Sequence, residues 1–198
     1  MAAGLKAYIP GAILARLEAK QGDWLAEYRL LTLLFVYLPN LNYAVPLEQL
    51  QEMMQALQSS LYRFEGSINK LSVDDKGTTL VAALGLPPFA HEDDPERGLR
   101  AALEMQTKLQ GLNWPCAIGI TTGKVFCGII GSPKRREYTM IGNPVNLAAR
   151  LAHRSTKGIL CDQATYQSAQ HRLAFRALPP LQLKGISHSV QVYQPSVP

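Results

Sequence analysis

Residues Glu137 to Arg150 hold an amide and a guanidinium at a spacing that suits a polyphosphate ligand. The stretch reads as a short strand, a glycine turn at Gly142, and a helix capped by Asn143 and opened by Pro144. Asn is a preferred cap, and the first helical position needs no backbone N–H, so proline fits there. Asn146 and Arg150 stand four residues apart, which places one above the other on a single helix face. Arg offers a planar, permanently charged fork that matches phosphate oxygens. Val145, Ala148, Ala149 and Ala152 form a small-residue stripe that lets the same helix approach a sheet closely. A surface helix with an exposed Arg carries the same local pattern, so this segment alone leaves both readings open.

Other residue groups are tested by the same criterion. Gly119 to Lys124 has the look of a phosphate-binding P-loop but fails it. Only three residues separate the glycines, and Val125 follows the lysine where Ser or Thr is required. A tight turn at Thr122-Gly123, joining strands Cys116–Thr121 and Lys124–Ile130, is the expectation instead. Lys70 falls on a strand between apolar neighbours, where a lysine either faces solvent or donates to a ligand. Asp74 and Asp75 follow at a hairpin tip next to Gly77. Paired carboxylates there can hold a divalent cation or simply make the turn.

The elements that must position these residues follow from apolar spacing. A lead-in helix is expected after Pro10, with Ile13, Leu14 and Leu17 on one side and Gly22 closing it. Leu30–Leu38 reads as a central strand covered on both faces. A helix over Pro46–Phe64 carries Leu47, Leu50, Met54, Leu57, Leu61 and Phe64 at three- and four-residue spacing, and Gly66 stops it. Ser67–Val73 and Thr78–Leu84 pair as a hairpin. A second helix begins with Asp94 as cap and Pro95 at its first position, and turns Leu99, Ala102, Leu103 and Leu109 inward. After Arg150 come a strand at Gly158–Cys161, a short helix over Asp162–Ala169, and strands at Leu181–Lys184 and Val190–Tyr193. The order strand, helix, strand, strand, helix, strand is the ferredoxin-like βαββαβ arrangement of an α+β fold, extended by C-terminal strands and helices. Residues 1–27 are expected to be a lead-in segment and 28–198 one domain.

Bulk properties narrow the function classes. The chain has 198 residues, 47% hydrophobic and 18% charged, enough for a real core and unlike a disordered chain. The net charge of +5 is scattered, and the basic run Lys134-Arg135-Arg136 is too short for a nucleic-acid footprint. An RNA-binding sheet of the same topology would need aromatic stacking residues on its central strands, which this pattern lacks. Cys116, Cys127 and Cys161 are odd in number and sit in apolar surroundings, the pattern of buried thiols in a reducing compartment. No apolar stretch reaches membrane-spanning length and no signal-peptide pattern opens the chain, so a cytoplasmic location is expected.

Taken together, Lys70, the carboxylate at Asp74, the glycine-rich strand region and Tyr138-Thr139-x-Ile141-Gly142-x-x-Val145-Asn146-x-Ala148-x-Arg150 resemble the class III nucleotidyl cyclase catalytic domain. Gly66–Lys70, Phe126–Gly131 and Glu137–Thr139 resemble most the second catalytic half of soluble, bicarbonate-responsive adenylyl cyclases. The resemblance implies a head-to-tail pair of two such domains with ATP at their interface. It implies that Lys70 and Thr139 contact the base, Asn146 orients the ribose, and Arg150 neutralises the phosphates. Guanine would favour an acidic group at the base, so ATP is the expected substrate. The family's first metal-binding Asp would stand where this chain has Tyr37, while Asp74 falls at the second metal position. The implied Mg²⁺ or Mn²⁺ would then be held mainly by a second cyclase domain. The expectation is a catalytic half that needs its partner; the alternative is a degenerate module used for dimerisation or nucleotide sensing.

Overall fold

The apolar run at Leu30–Leu38 lies within strand β1 (Glu27–Leu38), whose side chains alternate between two cores. The computed structural model describes residues 6, 9, 11–19, 26–42, 44–74, 77–132, 134–155 and 158–196. The expectations for Pro10, Gly22 and Asp75 lie outside the described residues.

The remaining strands are β2 (Ser67–Asp74), β3 (Gly77–Leu84), β4 (Ala117–Ser132), β5 (Arg135–Ile141), β6 (Gly158–Asp162), β7 (Ala174–Leu181) and β8 (Val190–Ser196). The helices are α1 (Gly11–Glu18), α2 (Leu47–Tyr62), α3 (Asp94–Gly111), α4 (Asn143–Arg154) and α5 (Gln163–Ala169). One sheet runs β2-β3-β1-β4-β6-β8-β7, with β5 paired to β4 beside that path. Its first four strands, all antiparallel neighbours, are the expected ferredoxin-like core.

Both faces of the sheet are covered. On one, Leu34, Val36 and Leu38 of β1 pack with Met53, Leu57 and Leu61 of α2 and Leu99, Ala102 and Met105 of α3. On the other, Leu31 and Leu33 join Ala83, Val125, Cys127, Met140 and Ala148. Burial of each large aliphatic side chain stabilises by roughly 1.5–3 kcal/mol. Cys116, Cys127 and Cys161 are buried and are not joined in disulfides. Loss of water pushes the Cys116 thiol up to about 11, and burial raises Cys161 further.

Five expectations need correction. There is no turn at Thr122-Gly123: β4 runs unbroken through both, which pair with Thr32 and Leu31 of β1. Gly123 is small because Pro144 lies against it, and a Cβ there would come within 2.6 Å of the Pro144 ring. The cap of α4 is Gly142, not Asn143, with no side-chain cap bond; a Cβ at Gly142 would lie 3.2 Å from Val125 Cγ1. The cap of α3 is Asp93, whereas Asp94 Oδ2 accepts from the His91 N–H at 2.9 Å. In α2 it is Met53 that is fully buried, and Leu47 is 72% exposed because it stands at the helix start. Finally, the strand expected at Leu181–Lys184 is not there: β7 occupies Ala174–Leu181 and ends where that strand is expected to begin. Its Pro179 and Pro180 obscure it in the sequence, since proline cannot donate to a ladder. They are tolerated because β7 is an edge strand whose register shifts between Leu178 and Leu181.

The closest packing in the sheet is α4 on β4. A Cβ at Gly119 would collide with the carbonyl oxygen of Ala148 and lie 2.6 Å from the Ala152 nitrogen. Replacing Gly119 by Ala is therefore expected to lower stability by at least the 1–3 kcal/mol typical of overpacking, read by chemical denaturation. Gly111→Ala, where nothing lies within 4 Å of an added Cβ, serves as the control.

Candidate active site

Alternation along β4 directs Gly119, Thr121 and Gly123 to one face, and α4 rests on all three. Ala148 and Ala152 sit over Gly119, Pro144 sits over Gly123, and Thr121 Oγ1 donates to the Pro144 carbonyl at 2.8 Å. Four contacts along one helix hold its orientation. The small-residue stripe is therefore the packed face, with Ala148 and Ala152 buried and Val145 and Ala149 at its margins.

The opposite face presents Asn146, exposed, and Arg150, half-buried. Both line a cleft of about 670 Å³ closed by the start of α5 and by the loop from Gly185 to Gln191. The guanidinium of Arg150 lies over Gly185, 3.3 Å from where a Cβ would stand; Gly185 also needs its positive φ of 73°. Among the described residues no carboxylate pairs with Arg150, so its charge is available to a ligand. This loop, with His188 in the cleft wall, was not singled out from sequence. Its one local signal is Lys184-Gly185 ahead of an alternating strand.

Asp162 forms the floor of the cleft and caps α5. Its Oδ1 accepts from Thr165 N at 3.0 Å and from Thr165 Oγ1 at 2.6 Å. Thr165 continues to Thr122 and Thr32 through buried hydroxyl contacts of 2.9 and 3.1 Å. Desolvation holds the Asp162 carboxyl above its ordinary value despite these donors.

Lys70 and Thr139 lie elsewhere, on β2 and β5, two strands joined by contacts of Asn69 and Lys70 with Tyr138 and Glu137. Asn69 Nδ2 donates to the Tyr138 carbonyl at 3.0 Å, and Lys70 Nζ lies 3.9 Å from Glu137 Oε1. Thr139, half-buried, follows two residues later and pairs with Gly128. Thr139 on β5 and the pair Asn146 and Arg150 on α4 lie along one continuous stretch of chain, β5 running into α4 through Gly142.

At the far end of β1 the Tyr37 ring packs on the His153 imidazole with centroids 4.7 Å apart, and Phe35 approaches the same imidazole at 6.0 Å. A Cβ at Gly77 would lie 3.1 Å from Tyr37, and Asp74 pairs through its backbone with Gly77, so Asp74 shares this end of the sheet. Among the described residues no three His, Cys, Asp or Glu side chains come together as a metal-binding group. Hard divalent cations need several oxygen ligands, and an aromatic stack does not supply them. These residues do not fit a resident two-metal site.

The family model described as "Adenylate and Guanylate cyclase catalytic domain" matches residues 26–194. Adenylate cyclase type 10 of Homo sapiens is 32% identical over 201 residues, covering 96% of this chain and 12% of that protein. The rabbit (Oryctolagus cuniculus) protein of the same name is also 32% identical, over 197 residues with the same coverage. The chain thus spans 12% of the length of these curated relatives. The adenylyl cyclase CyaB from P. aeruginosa superposes with a TM-score of 0.79 at 22% identity, covering 87% of this chain and 96% of its own. The guanylyl cyclase Cya2 superposes with a TM-score of 0.70 at 25% identity, covering 86% and 93%. Among the described residues no helix is long and apolar enough to cross a membrane.

The raised carboxyl of Asp162 makes a pH test of the cleft floor. A folded-state value above the unfolded one means the folded chain holds the proton more tightly. The stability that this proton contributes is full below about pH 4, the unfolded value. It is lost as pH rises through the raised folded value. Asp162→Asn retains a capping acceptor and cannot titrate. Its stability relative to wild type is expected to rise across that window and then level off, measured by urea unfolding at a series of pH values.

Proposed function

The chain belongs to the adenylate and guanylate cyclase catalytic domain family, and from that membership we propose that it is the nucleotide- and phosphate-binding half of an adenylyl cyclase. It converts ATP to cyclic AMP and pyrophosphate when paired head to tail with a second cyclase domain. The observation that carries this reading is Arg150, charged and without a carboxylate partner among the described residues, stacked with Asn146 on the cleft face of α4.

In this assignment Lys70 donates to the ring nitrogen acceptors of adenine and Thr139 supplies the second base contact. Asn146 orients the ribose so that its 3′-oxygen lies in line with the α-phosphorus. A bond forms between these two atoms, the bond from the α-phosphorus to the leaving pyrophosphate breaks, and the 3′-hydroxyl proton is released. Arg150 balances negative charge on the phosphate oxygens as that exchange proceeds. Phosphoryl transfer is catalysed mainly by positioning and by stabilising charge, so a fixed guanidinium at a preset helix face is an effective device. Mg²⁺ or Mn²⁺ is assigned to the carboxylates of the partner domain, because Tyr37 and His153 occupy the equivalent region here with an aromatic contact.

A second reading is favoured by that same contact: a degenerate cyclase module that pairs or senses nucleotide without catalysis. One assay separates the two. The chain alone is expected to be nearly inactive, and mixing it with a metal-bearing cyclase domain is expected to yield cyclic AMP from ATP. Arg150→Ala in that mixture should lower turnover by about two to three orders of magnitude, as for loss of an electrostatic stabiliser. An unchanged rate in Arg150→Ala rejects the assignment of Arg150, and no product in any pairing favours the module.

A further inference from the structure

Strand β2 carries an irregularity at its midpoint. Ile68 pairs with Ala82 and Lys70 pairs with Val81, so Asn69 is an extra residue with no partner on β3. In unbroken register Lys70 would stand opposite Leu80, on the face that α2 and α3 cover. A one-residue slip moves a side chain to the other face of a sheet. The bulge therefore places Lys70 beside Val81, on the face packed with Phe35 and Tyr138. The bulge residue also has a bond of its own. Asn69 Nδ2 donates 3.0 Å to the Tyr138 carbonyl, joining positions 69 residues apart in the chain and fastening β2 to β5. The charged group facing Lys70 across that joint is Glu137, at 3.9 Å.

We propose that Asn69 is a positioning residue of the base pocket: its bulge turns Lys70 to the nucleotide face and its amide clasps β5, which sets the spacing between Lys70 and Thr139. This rests on reading Lys70 and Thr139 as the base-contacting pair. The clasp acts through the spacing of two groups that read the purine edge, so it governs affinity and choice of base and leaves the phosphate side of the site untouched.

The test is equilibrium binding of ATP and of GTP, each as its α,β-methylene analogue so that pyrophosphate cannot leave, by calorimetry, to the full chain paired with a metal-bearing cyclase domain, with melting temperatures in parallel. Asn69→Ala removes the amide, and Asn69→Asp keeps its size but offers no N–H to the carbonyl. Both are expected to weaken ATP binding about five- to tenfold, in keeping with one lost hydrogen bond, and to narrow the preference for ATP over GTP. Adding Asn69→Ala to Lys70→Ala is expected to weaken ATP binding no further than Lys70→Ala alone, because the two act as one unit. A lower melting temperature with unchanged nucleotide affinity and base preference in both Asn69 variants would mean a purely structural clasp, and overturns the proposal. Additive losses in the double variant overturn it as well. If Lys70→Ala itself leaves ATP binding unchanged, the base-pocket reading fails first; if Lys70→Ala weakens binding and neither Asn69 variant does, only the role of Asn69 fails.

Discussion

The contact between helix α4 and strand β4 is possible only because Gly119 has no side chain. The Ala148 carbonyl and Ala152 nitrogen occupy the space a Cβ would need, and Thr121 and Gly123 extend the same bed along the strand. Interiors pack at crystal-like density, so a helix lowered into such a bed has little freedom to rotate or slide. Everything on the exposed face of α4 inherits that precision. Arg150 and Asn146 need no bonds of their own to be aimed, because the backbone beneath them is already held. Gly185 repeats the device from the opposite wall, where the absence of a side chain leaves room for the guanidinium.

The same economy explains an asymmetry in charge. The α4 cleft offers a cation, Arg150, with no internal partner among the described residues, and the carboxylate that lines the same cleft, Asp162, is committed to Thr165 and Thr122 and biased by desolvation toward its neutral form. The far end of β1 offers the reverse: Tyr37 against His153, closed by aromatic contact where a cation would need oxygen ligands. The two regions thus differ: a guanidinium without a carboxylate partner among the described residues lines an open cleft in one, and an aromatic contact closes the other. Under the proposed pairing with a second cyclase domain, that domain would bring the oxygen ligands that the Tyr37–His153 contact does not offer.

Much of this was legible in the sequence, and the failures have a common cause. Helical periodicity located α2, α3 and α4, and alternation with breaker residues located β2, β3 and β6. Thr122-Gly123 was read as a turn because glycine after threonine commonly makes one, yet here glycine marks a place where another backbone comes close. Asn143 was read as a cap from its type, whereas tertiary crowding by Val125 selects Gly142 for that position. Pro179-Pro180 hid β7, since only the sheet order reveals that it is an edge where missing donors do no harm. At Thr122-Gly123 and Asn143 the residue type is plain in the sequence, and at Pro179-Pro180 it argues against a strand; in each case the deciding reason lies in a neighbour distant in the chain.

The sequence by itself determined the order of elements and the four-residue spacing of Asn146 and Arg150, because these depend on residue type and local periodicity alone; that a carboxylate would stand at Tyr37 is what the family resemblance implies. Only the tertiary structure decided that β4 passes straight beneath α4, that the Gly185 loop forms the second wall of the cleft, and that the bulge at Asn69 turns Lys70 to the face of β5. Those outcomes turn on which backbones approach one another and on strand register. Such contacts join residues far apart in the chain, and no local pattern encodes them.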